Sequence, residues 1–140
     1  MMTFTILPDL MKMAIAYALA FPIGWNRERR DRTAGLRTFP LVAIASCGFV
    51  LATAGTLRHE PEAQARIIEG IITGIGFIGG GAILKGPGTA HGTATAASLW
   101  GTGGIGVAVA LSAYDVAVVL AGVIILTFWL LSPLKPDPRA

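Results

Sequence analysis

Five apolar stretches run along the chain, each closed by a short polar, glycine or proline break. The first covers about 10–25, behind Asp9 and Lys12, with Pro22 and Gly24 weakening its last turn and Trp25 at its end. Lys12 is placed to snorkel its ammonium to the interface. The second runs from about Thr38, a fair N-cap with Pro40 tolerated in the first turn, to 56. The third covers about 67–84 and stops at Gly86-Pro87-Gly88. The fourth covers 93–111, and the fifth covers 114–131 before Pro133 ends it. Each is near the lower end of the roughly 17–25 residues that cross a bilayer as a helix. The pattern therefore predicts an all-α integral membrane bundle of about five transmembrane helices.

Glycine singles out the third stretch. Gly70, Gly74, Gly76, Gly79, Gly80 and Gly81 interrupt a run of isoleucine and phenylalanine. In water each glycine costs a helix up to about 1 kcal/mol relative to alanine. In a bilayer the unpaired backbone has no water to turn to, so the helix holds. Gly70 and Gly74 are four apart, as are Gly76 and Gly80, a spacing that admits a neighbouring backbone. The third stretch is accordingly expected to be the central, tightly packed helix. Gly101 and Gly104, beside Gly103 and Gly106, give the fourth stretch a similar role.

Composition agrees with a membrane protein. Of 140 residues, 54% are hydrophobic and 14% charged, against about 25% charged in ordinary soluble domains. One domain, residues 1–140, is expected, with no soluble C-terminal domain. A single cysteine, Cys47, excludes an internal disulfide framework and a cysteine metal cluster. Arg27, Arg29, Arg30, Arg32 and Arg37 crowd the first loop. By the positive-inside rule this loop is cytoplasmic. Lys85, Lys135 and Arg139 fall on the same side. The N-terminus is then outside and the C-terminus cytoplasmic.

The candidate functional residues are few. Arg27, Glu28 and Arg37 come from the arginine-rich loop. Arg37 precedes a helix start, where a cation opposes the helix dipole, so a carboxylate such as Glu28, or a lipid phosphate, is expected to hold it. Glu69 is the carboxylate just inside a span, and an ionisable group there is a functional candidate. Arg66, one turn away, is its expected ion-pair partner. Thr95, Ser98 and Thr102 share a face of the fourth helix and are expected to bond across to the third. Trp100 is expected to pack. His59 and His91 are isolated in different loops and suggest no metal site. No nucleophile–base pair and no phosphate-binding loop can be assembled. Neither an enzyme nor a cofactor is expected, and nucleic acid is not an expected partner.

Three segments resemble the membrane domain of the MgtC/SapB family. Gly24–Thr38 reads GWNRERRDRTAGLRT, Arg66–Leu84 carries TGIGFIGGGAIL, and Gly92–Gly106 carries TAASLW followed by GIG. They stand in the family's order and spacing, over about residues 10 to 130. Asn26 replaces a usual glutamate, Glu69 a usual glutamine, and Ala94 a polar residue common before TAA. The resemblance implies a bacterial inner-membrane protein associated with magnesium homeostasis and, in some members, with survival in host cells. It leaves two roles open. One is a small regulatory protein that binds another membrane protein or a second copy. The other is a cation transporter or channel component, with the third and fourth spans lining a path.

Overall fold

The computed structural model describes residues 6–30 and 34–134. Five helices carry the fold: α1 Ile6–Arg30, α2 Thr38–Ala54, α3 Pro61–Gly81, α4 Thr93–Ala110 and α5 Tyr114–Leu131. A short 3-10 turn, Ser132–Leu134, follows α5. The apolar stretches and the helices coincide, with differences at the ends. Pro22 lies inside α1, which continues through to Arg30. Pro61 opens α3 six residues before its apolar run, because proline suits a first turn whose N–H groups lack partners anyway. Arg37, not Thr38, occupies the N-cap position of α2, and no side chain caps there.

The break between α3 and α4 is a β-hairpin rather than a plain loop. Strands β1 Leu84–Gly86 and β2 Thr89–His91 pair antiparallel, with Leu84 opposite His91 and Gly86 opposite Thr89. Pro87 and Gly88 form the turn. Proline presets the first corner, and Gly88 takes φ +73° at the second. Gly92, at φ +85°, then leads into α4; a Cβ there would strike the carbonyl oxygen of Ala82.

The central helix is α4, not α3. It packs against α1, α2, α3 and α5, and its glycines make room for three of these neighbours. A Cβ on Gly106 would collide with the carbonyl of Ala43 in α2, and one on Gly103 with Ile75 of α3. Gly101 faces Ile124 and Gly104 faces Leu120, both in α5. The core gathers round this helix: Leu99, Ile105, Val109, Thr95 and Thr102 are fully buried with Ile23, Phe39 and Cys47. Small residues at the contacts, among them Ala16, Ala20, Ala43, Ala117 and Ala121, bring the backbones close.

α3 sits at the edge, against α4 and α2. It buries only Ile71, Ile75 and Gly79, a single stripe four residues apart. Gly79 lies against Ala96 of α4, whereas a Cβ on Gly70, Gly74, Gly76, Gly80 or Gly81 would meet nothing within 4 Å. Within this chain, then, those five glycines do not serve the close packing expected of them. The reason is geometric: one stripe suffices to dock a peripheral helix, and the rest of its surface faces outward.

That outward surface is apolar. Two helical segments are long and apolar enough to cross a membrane, Ile6–Arg30 and Tyr114–Leu134, and both are mostly exposed in the isolated chain. Phe77, Trp129, Leu10 and Val119 are among many large exposed apolar side chains. A soluble protein does not leave apolar surface exposed on this scale.

Candidate functional site

The polar residues collect at two places: the end of the bundle where α1 meets α2, and the buried face of α4. At the first, α1 ends in Arg27, Glu28, Arg29 and Arg30. Glu28 does not pair with Arg37; among the described residues no ion pair joins them. Its carboxylate instead accepts a hydrogen bond from the Leu36 N–H at 3.0 Å. The carboxylate thus supplies an acceptor at the turn leading into α2, where the positive end of the helix dipole also favours an anion. Two glycines make this latch possible. A Cβ on Gly35 would overlap the Glu28 carboxylate, and one on Gly24 would crowd the Gly35 carbonyl at 3.1 Å and Phe39 at 3.3 Å. Arg37 itself is exposed.

Arg27 turns inward. It is 7% exposed, its guanidinium lies 3.7 Å from the centroid of the Phe128 ring in α5, and its Nη2 donates to Asn26 Oδ1 at 3.1 Å. A guanidinium is weakly hydrated and planar, so it can stack on an aromatic face where lysine would be penalised. Phe128 has no sequence signature that marks it as the partner; only the packing of α5 against α1 identifies it. Arg29 points the other way, over Trp25 at 4.9 Å. Tyr17, Phe21 and Trp25 form a ladder of rings along the exposed side of α1, 6.4 and 6.0 Å apart. This suits a helix whose apolar side meets lipid and whose end meets the interface.

At the opposite end of α1, Lys12 Nζ donates to the Ala110 carbonyl at 2.8 Å. Instead of snorkelling to water, Lys12 caps the last turn of α4, where the dipole favours a cation.

On the buried face of α4, Thr95, Ser98 and Thr102 come together as the spacing predicts. Ser98 and Thr102 bond differently from the expectation. Ser98 Oγ donates to the Thr95 carbonyl at 2.8 Å, and Thr102 Oγ1 to the Ser98 carbonyl at 2.7 Å. Ser46 of α2, which lies beside Gly103 and Gly106, donates to the Val42 carbonyl of its own helix at 2.8 Å. Hydroxyls can bond back to the preceding turn in this way, and Ser98, Thr102 and Ser46 do so. Trp100 is 55% exposed and faces outward, so it is not a core packing residue.

Glu69 is exposed, more than two turns into α3, and among the described residues no ion pair joins it to Arg66. Asp9, Glu28, Glu60, Glu62 and Asp115 are near helix ends. Among the described residues no three metal-ligating side chains gather at one point. Lys85 lies in β1, with its backbone opposite Ala90. Arg32, Lys135 and Arg139, which bear on the topology, lie outside the described residues.

A helical bundle, clad in apolar side chains and carrying its charges near helix ends, is a membrane protein. Its family follows from comparison: the MgtC family model matches residues 13–136, and the chain belongs to that family. It is 39% identical over 119 residues to protein MgtC of Salmonella typhimurium, covering 85% of this chain and 49% of the relative. It is 37% identical over 122 residues to protein MgtC of Brucella abortus, covering 87% and 50%. With protein SapB of Bacillus subtilis it shares 31% identity over 142 residues, 93% of this chain and 61% of the relative. The chain thus spans about half the length of most of these relatives. No solved structure matches it.

Proposed function

We propose that this chain is a multi-pass protein of the bacterial inner membrane that serves magnesium homeostasis by docking on another membrane protein or a second copy, rather than by catalysis or by carrying the ion itself. The observation that carries this reading is the free side of α3. At 3.6 residues per turn, Glu69, Thr73, Gly76 and Gly80 share one side, turned away from the Ile71–Ile75–Gly79 stripe. Gly76 and Gly80 are four apart, and a Cβ on either would meet nothing within 4 Å. Such a pair lets another helix approach closely in lipid. A path between α3 and α4 has less support: Ile75 fills the space at Gly103, and Ala96 fills that at Gly79. Ser98 and Thr102 also direct their protons to their own helix.

If Gly76 serves docking and not folding, Gly76→Leu leaves the melting temperature of the purified chain within a few degrees while reducing its association. Chemical crosslinking in native membranes measures this. Unchanged crosslinking to itself and to other membrane proteins sinks the docking reading.

All five helices are taken to span the bilayer, with the α1–α2 loop cytoplasmic because of its arginines. The N-terminus is then outside and the C-terminus inside. A periplasm-active reporter fused after Ala140 is expected to be silent and a cytoplasm-active one bright. The reverse pattern contradicts this arrangement.

A further inference from the structure

A cleft of about 480 Å³ opens between α2 and α3. Its walls include Ala45, Phe49, Ile67, Gly70, Gly74 and Ile78, and Arg66 stands at one end. The geometry points to an anionic phospholipid as its occupant, with an acyl chain in the cleft and the headgroup phosphate on Arg66. Four observations support this.

The walls are hydrocarbon apart from Ser46 and Thr53, and those hydroxyls are engaged with their own helix. Ser46 donates to Val42, and Thr53 lies 3.0 Å from the Val50 carbonyl. The length fits one leaflet. From Arg66 to Ile78, at about 1.5 Å per residue, the cleft runs about 18 Å, against about 15 Å for half the hydrocarbon core. The sign of the charge fits an anion and opposes a cation: Arg66 is the one charged residue in the lining. It is exposed and makes no ion pair among the described residues, so its guanidinium is available to a phosphate. Finally, the cleft exists because Gly70 and Gly74 carry no side chain where α3 leans away from α2; a Cβ on either would meet open space.

The site is separate from the docking side of α3, since Gly70 and Gly74 face the cleft and Gly76 and Gly80 do not. The two readings therefore stand or fall independently.

The test uses the full chain, released in mild detergent, titrated with phosphatidylglycerol or phosphatidylcholine, and weighed by native mass spectrometry. The wild type should retain phosphatidylglycerol with about a fivefold preference, the size of one cation–headgroup interaction. Arg66→Gln should bring that preference to about one. Gly74→Leu adds bulk to the cleft from a position where a Cβ meets nothing within 4 Å, and should remove the bound lipid at unchanged melting temperature. Gly70→Leu repeats the test should Gly74→Leu fold poorly. Gly122→Leu, at an open position on α5 outside the cleft, should leave lipid binding intact. Equal retention of phosphatidylglycerol by wild type and Gly74→Leu overturns the proposal. So does a dimer that Gly74→Leu converts to monomer with its lipid unchanged, because the occupant is then a second copy.

Discussion

Gly106→Ala is expected to destabilise the folded chain by about 1–3 kcal/mol, and Gly106→Leu to abolish folding. The added Cβ alone would strike the Ala43 carbonyl oxygen and stand 2.9 Å from Ser46 Cβ. These are backbone and near-backbone atoms of α2, so no rotamer change relieves the clash. Gly76→Ala is the matched control. Its Cβ meets nothing within 4 Å, and alanine is the better helix former, so it should be neutral or stabilising by up to about 1 kcal/mol. Unfolding in mixed micelles measures both. Equal losses at the two sites would mean that Gly76 is packed as closely as Gly106, and would contradict the peripheral place of α3.

The second large effect belongs to Phe128. Its ring carries the buried guanidinium of Arg27 at 3.7 Å and so joins α5 to the charged end of α1. Phe128→Leu keeps the apolar bulk but removes the aromatic face. The loss should be about 2 kcal/mol, the worth of a desolvated cation–π contact. Arg27→Met retains a long flexible side chain and removes the charge. In a double-mutant cycle the two changes should couple by at least about 1 kcal/mol. Strict additivity would show that the ring and the guanidinium merely lie near one another.

The helices were legible in the sequence because their breaks are chemical. Gly86-Pro87-Gly88 and Pro133 break a helix, and the charges that begin at Arg27 end the first apolar stretch although α1 itself runs on to Arg30. Which helix lies at the centre was not legible from glycine content, since α3 and α4 both carry several. The difference lies in what surrounds the glycines. α4 has no charge from Thr93 to Ala110 and is small on nearly every side, so neighbours can approach from several directions. α3 sets Glu69 beside its first glycine and Ile72, Phe77 and Ile78 between the others, and one side of this helix packs while the others stay exposed.

The candidate site divides in the same way. Glu28 was expected to hold Arg37, but its partner is the Leu36 backbone N–H, which no sequence pattern names. Gly24 and Gly35 stood in the quoted motif, and their close contacts account for them. The hydroxyl face of α4 was read correctly as a face, but Ser98 and Thr102 do not bridge to α3. Serine and threonine can always satisfy themselves on the preceding turn, and spacing alone does not exclude that. Lys12 on the Ala110 carbonyl and Phe128 under Arg27 join residues far apart in the chain, so only the fold reveals them.

Docking without conduction of the ion is tested most directly with purified protein alone, reconstituted into liposomes with a magnesium-sensitive dye inside. Magnesium entry is expected to be no faster than in empty liposomes, with Glu69→Gln indistinguishable from wild type. Protein-dependent entry that Glu69→Gln clearly reduces while folding is intact would contradict it.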